Sequence, residues 1–274
     1  MTTKTIAVHG ATASQGAPVA AHLTDAGHTV RPLSRATGVD LFDRGSLEAA
    51  YTGADAVILQ LPLLYDERAL EVAENAARAA ETAGIEHLVI NASTPLPPEP
   101  IGVPFLDARH LAAAAAVPRV TVLQPTLYLE NLSAAWSTVR SGVVAYPLPG
   151  DVPVPWVAAA DVAIAVERAI AREAAGWFAL PGVNAPGHEV ATAIGTAIGR
   201  PVLWQTITPE QFADLLRPHL GDHAAEGTAA VYRMHAAAPP EWPDPAPARE
   251  TLDWAPRDAT TWATETRWPL ALAA

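Results

Sequence analysis

The sequence predicts an α/β fold, a doubly wound parallel sheet with a smaller C-terminal α/β lobe, and three observations carry that prediction. Short apolar runs alternate with segments of helical spacing through the first half of the chain. The first run ends in a glycine turn that opens directly into a helix. With 274 residues, half of them hydrophobic, the chain also buries enough surface to need neither disulfide nor metal to hold its core.

Thr5–Val8 is the first strand; it ends at Gly10, and the helix Ala17–Ala26 is stopped by Gly27. His28–Leu33 is the second strand, Leu47–Tyr51 a helical turn, Ala56–Leu61 a strand, Arg68–Ala83 a helix stopped by Gly84, and His87–Asn91 a strand. Repeated strand–helix–strand units require parallel strands with helices on both faces, and place ligands beyond the carboxyl ends of the strands. After the loop Ala92–Val103 the pattern gives a helix over Phe105–Ala116, a strand Val120–Leu123 and a helix beginning near Tyr128. It loosens from Gly142. A Pro-rich stretch, Tyr146–Pro155, precedes a helix Ala158–Ala171, a strand Trp177–Leu180, a helix Glu189–Ile198 and a strand Val202–Thr206. Residues 1–145 therefore read as the sheet domain, with the sheet extending to about 180, and 146–274 as a smaller substrate or lid lobe. Ala236–Ala248 reads as a Pro-rich linker or lid.

Composition excludes several functions. There is no cysteine, so thiol catalysis, iron–sulfur clusters and Cys-based zinc sites are ruled out. The formal charge of −12 without a basic cluster speaks against a nucleic-acid partner, because phosphate-backbone affinity comes from Lys and Arg. No stretch is long and apolar enough for a membrane span, and the N-terminus runs straight into a strand without a signal-peptide pattern, so a cytoplasmic protein is expected. His219 and His223 have i, i+4 spacing, but Gly221 breaks the helix that this would need; the expectation is no metal. Glu71 and Glu74 read as a solvated helix face.

The informative segment is His9-Gly10-Ala11-Thr12-Ala13-Ser14-Gln15-Gly16. Gly10 gives the turn its backbone freedom and Gly16 lets helix and strand approach, so that the helix N-terminus presents its N–H groups and positive dipole end to a pyrophosphate. Thr12, Ser14 and Gln15 add donors. The loop therefore predicts a dinucleotide. A fold that takes NAD usually carries an acid at the end of the second strand for the ribose 2′-OH; here the stretch is Arg31-Pro32-Leu33-Ser34-Arg35. With no acid there, and with Arg35 able to pair a 2′-phosphate, NADP(H) is favoured over NAD(H). The competing reading makes Arg31 and Arg35 solvated loop charges.

These features resemble the NmrA-like branch of the atypical short-chain dehydrogenase/reductases, with their Rossmann-like NAD(P)-binding fold. The resemblance rests on Gly10-x-x-Ala13-x-x-Gly16, the basic Arg35, Val39-Asp40-Leu41 with Asp43 and Ser46-Leu47, Gly53 and Asp55, Gln124-Pro125-Thr126 through Glu130-Asn131, Trp156-Val157 with Asp161-Val162-Ala163, and Gly199-Arg200-Pro201-Val202. It spans roughly residues 4–220. The resemblance implies Asp40 and Leu41 beside the adenine, Leu61 and Pro62 over the ribose, and Asn91, Ala92 and Ser93 with Pro125, Thr126 and Leu127 near the nicotinamide. Ala13 departs from the pattern: the middle glycine is replaced, so a methyl group stands close to the phosphates.

Many reductases of this class use a Tyr-x-x-x-Lys pair, and this chain has none: Lys4 is its only lysine. In related reductases a lysine occupies the helix that is here Pro104–His110, and the resemblance puts Arg109 in that slot. A guanidinium orients an anion or the nicotinamide but does not act as an acid. The catalytic candidates are therefore Tyr128 and His110, with Arg109 as an orienting charge. The competing reading of His110 is a solvated helix residue, and of Tyr128 a packing residue. Tyr65, Asn131, Trp136 and Trp156 are the candidates for a substrate pocket. Most of the Trp residues lie beyond position 170, as expected either of a substrate lobe or of a small core that needs large side chains.

Three functions stay open: an NADP(H)-dependent reductase of a small, largely apolar quinone, enone or carbonyl substrate; a non-catalytic NAD(P) sensor acting on a protein partner; and a redox-neutral cyclase or isomerase on the same fold. A homodimer is one assembly open to it.

Overall fold

A computed structural model describes residues 2–237 and 241–268. In chain order the elements are β1 (Thr5–His9), α1 (Gly16–Asp25), β2 (Thr29–Leu33), α2 (Arg44–Tyr51), β3 (Ala56–Gln60), α3 (Arg68–Thr82), β4 (His87–Asn91), α4 (Pro104–Ala113), β5 (Arg119–Pro125), β6 (Leu127–Tyr128), β7 (Val143–Tyr146), β8 (Pro153–Val157), α5 (Ala159–Ala171), β9 (Gly176–Leu180), β10 (Val183–Pro186), α6 (Gly187–Ile198), β11 (Leu203–Thr206), α7 (Pro209–Ala237), α8 (Ala246–Leu252) and α9 (Ala259–Glu265).

Six strands make one parallel sheet in the order β2-β1-β3-β4-β5-β9. Its central strands are apolar along their length because both faces are covered: every residue of His87–Asn91 is buried. Helix α3 packs against both α2 and α4, and α1 packs on α5. The inner face of α3 is Ala69, Val72, Ala73, Ala76, Ala77, Ala79 and Ala80, mostly methyl groups at helical spacing, which lets the helix lie close. Asp43 caps α2 through the Ser46 N–H at 3.2 Å, and Pro104 opens α4, where no N–H is needed.

The chain divides into two compact units, and the division is interleaved rather than a single cut near residue 145. The sheet unit is residues 1–126, 159–181 and 243–255. The return segments are held by packing: Trp254 is 1% exposed and its indole N–H donates to the Asp161 carbonyl at 2.8 Å. The second unit is residues 127–158, 182–242 and 256–274. It holds the sheet β10-β8-β6, the pair β11-β7, and a core in which Tyr146, Trp156, Trp204, Phe212 and Tyr232 meet mostly edge to face.

Several expectations are corrected. No α-helix starts near Tyr128: Leu127 and Tyr128 pair with Trp156 and Val157 of β8, so their backbone is committed to a ladder, and only a 3-10 turn, Leu129–Leu132, follows. The helix after Val103 ends at Ala113, not Ala116. Tyr146–Pro155 is not wholly loop, since it contains the end of β7 and the start of β8. β10, α7, α8 and α9 were not expected. Gly221 does break its helix, with φ 77° and ψ 167° inside α7. Of the segment 236–248, residues 238–240 lie outside the described residues, while Ala236 and Ala237 end α7 and Ala246 starts α8. No described helix is long and apolar enough to cross a membrane.

Candidate functional site

At the carboxyl end of β1 the loop turns on Gly10, whose φ of +64° suits glycine, and which is tied to β2 by its N–H on the Leu33 carbonyl at 3.1 Å. A Cβ built on Gly16 would stand 2.2 Å from the Gly10 carbonyl oxygen and 3.0 Å from that of His9. Helix and strand therefore touch backbone to backbone. The helix begins without a side-chain cap, and the backbone N–H groups of Thr12, Ser14 and Gln15 make no hydrogen bond to the described residues. Pro18 stands in the first turn, where its missing donor costs nothing. Thr12, Ala13 and Ser14 are exposed, so the Ala13 methyl has open space, and its N–H closes the turn on the Gly10 carbonyl at 2.8 Å.

Three strand ends are joined through one side chain. Gln15 Oε1 accepts from Gln60 Nε2 at 2.6 Å and from Ser93 Oγ at 3.1 Å. Ser93 is a non-glycine residue at φ 62°, a conformation held by its N–H on Asn91 Oδ1 at 3.0 Å. Asn91 and Ala92 are buried, and Gln124 Oε1 takes the Leu96 N–H at 2.8 Å. Thus Gly10, Gln15, Gly16 and Asn91 to Ser93 come together at the sheet's carboxyl edge. Gln60 was missed by the sequence reading; a polar residue ending the buried strand Ala-Val-Ile-Leu was the available signal. Beneath the loop, His9 Nε2 and the Tyr51 hydroxyl are 2.7 Å apart. Burial holds the His9 imidazole down at about 4 and pushes the Tyr51 phenol up.

At the end of β2 the two arginines differ. Arg31 Nη1 donates to the Ala50 and Thr52 carbonyls at 2.6 and 2.9 Å, so it ties β2 to the end of α2 and is not a solvated charge. Arg35 is exposed, its carbonyl takes the Gly38 N–H at 3.1 Å, and its guanidinium makes no hydrogen bond or ion pair with the described residues. Asp40 is exposed; its Oδ1 takes the Phe42 N–H at 3.0 Å. Leu41 is half-buried, and its carbonyl takes Asn75 Nδ2 at 3.2 Å. Leu61 faces the core and Pro62 is exposed.

Arg109 is fully buried. Its Nε donates to the Ala92 carbonyl at 3.2 Å, its Nη1 to the Phe105 carbonyl, and its Cζ lies 3.7 Å from the centre of the Phe105 ring. Nη2 is buried without a partner among the described residues, and desolvation brings the guanidinium down to about 10, against the favourable charge of Tyr65. Tyr65 stacks on the other ring of this group, Phe105, at 4.8 Å. His110 turns instead to Trp177 of β9 at 5.1 Å, level with Val122 and short of the carboxyl end of β5. Pro125 and Thr126 are buried at that end.

The remaining candidates belong to the second unit. Leu127 is half-buried, and Tyr128 is buried in β6. Asn131 Nδ2 donates to the Tyr146 hydroxyl at 3.3 Å, which shares a short hydrogen bond with that of Tyr232; burial takes the Tyr146 phenol up to about 12. Trp156 is a core residue, 1% exposed, with its indole N–H on the Ala185 carbonyl at 3.1 Å, and so offers no open face to a substrate. Trp136 is half-buried with Nε1 unpartnered, near His219.

A model of the NmrA-like family matches residues 2–255. An NAD(P)H azoreductase of Xenophilus azovorans is 30% identical over 220 residues, 77% of this chain and 74% of that protein. A (4-alkanoyl-5-oxo-2,5-dihydrofuran-3-yl)methyl phosphate reductase of Streptomyces griseus is 31% identical over 224 residues, 74% of this chain and 77% of that protein. Among solved structures, NmrA, a negative transcriptional regulator in complex with NAD, superposes with a TM-score of 0.69 at 19% identity, covering 97% of this chain and 96% of that one. The triphenylmethane reductase of Citrobacter sp. gives 0.65 at 20% identity, covering 96% of this chain and all of that one.

Proposed function

The chain belongs to the NmrA-like family, and from that premise we propose that it is an NADPH-dependent reductase of a small, largely apolar acceptor of the quinone, enone or carbonyl type. The observation that carries the reading is the backbone contact between Gly10 and Gly16 under an uncapped helix start, a cradle that a single Cβ would fill. The cofactor fits the residues present. The free N–H groups of Thr12, Ser14 and Gln15 would hold the diphosphate, and Arg35 the 2′-phosphate. Asp40 and Leu41 would border the adenine, with Pro62 over the ribose. Asn91, Ala92 and Ser93 with Pro125 and Thr126 would frame the nicotinamide end, where the bound cofactor would supply a hydride. The Gln15–Gln60–Ser93 hydrogen bonds fix that frame before any ligand arrives, so binding does not have to order it. The relatives support reductive chemistry: one is an NAD(P)H azoreductase and the other a reductase of an unsaturated lactone phosphate.

The experiment is calorimetric titration of the cofactor-free protein with NADPH and NADH, followed by NADPH oxidation against azo dyes, quinones, enones and aldehydes. Binding with turnover of one class is expected; binding without turnover on any class would sink the reductase reading. That outcome would favour the second reading, a dinucleotide sensor for a protein partner, which the burial of Arg109 in the lysine slot motivates. Turnover that persists without cofactor would favour redox-neutral chemistry.

A further inference from the structure

The protein lacks a Tyr-x-x-x-Lys pair, and none of its tyrosines is followed by lysine at that spacing. A different tyrosine and a different cation do meet, on one aromatic ring. Phe105 is nearly buried at the start of α4. The Tyr65 ring stacks on it at 4.8 Å with 19° between planes, and Arg109, one helical turn on, sets its guanidinium over it at 3.7 Å. All three stand at the carboxyl edge of the sheet: Tyr65 lies five residues past the end of β3, and Arg109 is anchored on the carbonyl of Ala92, the residue that follows β4. The guanidinium is fully buried and, among the described residues, has no carboxylate partner and one nitrogen unpaired. A buried cation without a counterion favours the anionic form of a group beside it, and the half-buried Tyr65 phenol, stacked on the same Phe105 ring, is a group able to become an anion.

We propose that Tyr65 is the proton donor of the reduction and that Arg109 is the fixed charge that holds the resulting phenolate. The inference rests on the reductase reading above. In the step, the acceptor carbon gains a C–H bond from the hydride of NADPH, the π pair of its C=O moves to oxygen, and Tyr65 Oη gives that oxygen its proton. The phenolate left behind is balanced by Arg109 and reprotonated from water, to which Tyr65 is partly open. Arg109 itself gives up no proton. This arrangement divides the work of the missing pair between a residue of the loop after β3 and one of helix α4, which is why no spacing motif marks it.

The test compares the wild type with Tyr65→Phe on two acceptors: an aldehyde or quinone, whose oxygen must take a proton, and a cationic triphenylmethane dye, which becomes neutral on accepting hydride alone. Tyr65→Phe is expected to lose about 100-fold or more in kcat/KM on the first and little on the dye, with NADPH affinity unchanged by calorimetry. Ultraviolet titration of the cofactor-free proteins gives a readout apart from turnover. The phenol transition that is absent in Tyr65→Phe should move to higher pH in Arg109→Met, and no movement would overturn the role of Arg109; the charges near it are Arg109 and Asp66, the latter paired with Arg68. Equal loss on both acceptors, no loss on either, or turnover of the dye alone by the wild type would overturn the assignment of Tyr65. Absence of wild-type turnover on every acceptor would overturn the reductase reading, and this inference with it.

Discussion

Gly16→Ala is the smallest change that attacks the proposed cofactor loop. The new Cβ would stand 2.2 Å from the Gly10 carbonyl oxygen and 2.6 Å from its carbon, where real Cβ contacts do not fall below 3.0 Å. Both contacts are backbone, so no side chain can swing aside, and helix and loop must separate by about 1 Å, a displacement large enough to misplace bound groups. Overpacking of this kind costs about 1–3 kcal/mol of stability. The larger effect is on binding. N–H groups aimed at a diphosphate make charge-assisted hydrogen bonds, and misplacing them should cost about 3 kcal/mol, on the order of 100-fold in Kd. The assay is calorimetry with NADPH on protein shown to be folded by its circular dichroism and cooperative melt. Gly27→Ala is the control: its φ is +89°, unlike that of the helical Gly16, and nothing among the described residues lies within 4 Å, so it should lose stability through backbone strain and leave the Kd unchanged. A Gly16→Ala protein that binds NADPH as the wild type does would refute the reasoning, because the loop would then not be the phosphate site.

The two arginines of the second strand end should separate cleanly. Arg35→Ala should weaken NADPH by about 1–3 kcal/mol and leave NADH nearly untouched, read by parallel titrations; equal weakening of both would make Arg35 structural. Arg31→Ala removes two hydrogen bonds to the carbonyls of Ala50 and Thr52, and should lower stability in urea by about 1–3 kcal/mol without changing the NADPH to NADH ratio. His9 and His87 are both buried and both held at about 4 from an ordinary value of 6.5, by desolvation foremost. The unfolded chain therefore binds protons that the folded one refuses between those values. Their contribution is fully present above pH 6.5 and is lost as pH falls toward 4, by about 3 kcal/mol for each. Urea melts from pH 7 to 4 should show that decline, and a flat profile would count against neutral buried imidazoles.

Local patterns in the chain were enough for the sheet and the glycine loop after β1. β1 to β5 and α1 to α4 are legible because each is a short periodic run bounded by Gly10, Gly27, Gly84 or a proline, and these signals act within a few residues. The turn at Gly10 and the closeness at Gly16 belong to the same class, since they follow from the absence of a side chain at a fixed offset. What no window of sequence carries is partnership across distance. Leu127 and Tyr128 read as a helix start until β8, some thirty residues on, claims their backbone. Trp254 belongs to the sheet unit because its indole meets the Asp161 carbonyl, and Trp156 is core because the Tyr146 and Trp204 rings surround it. Arg31 and Arg35 are four residues apart and of one chemical type; only the fold decides that the first is spent on the end of α2 and the second is left open to solvent. The sequence by itself determined the strand–helix order and the glycine turn between β1 and α1, because both are set by near neighbours. The tertiary structure decided which polar side chains remain free to act, because that depends on which donors and acceptors distant segments bring to them.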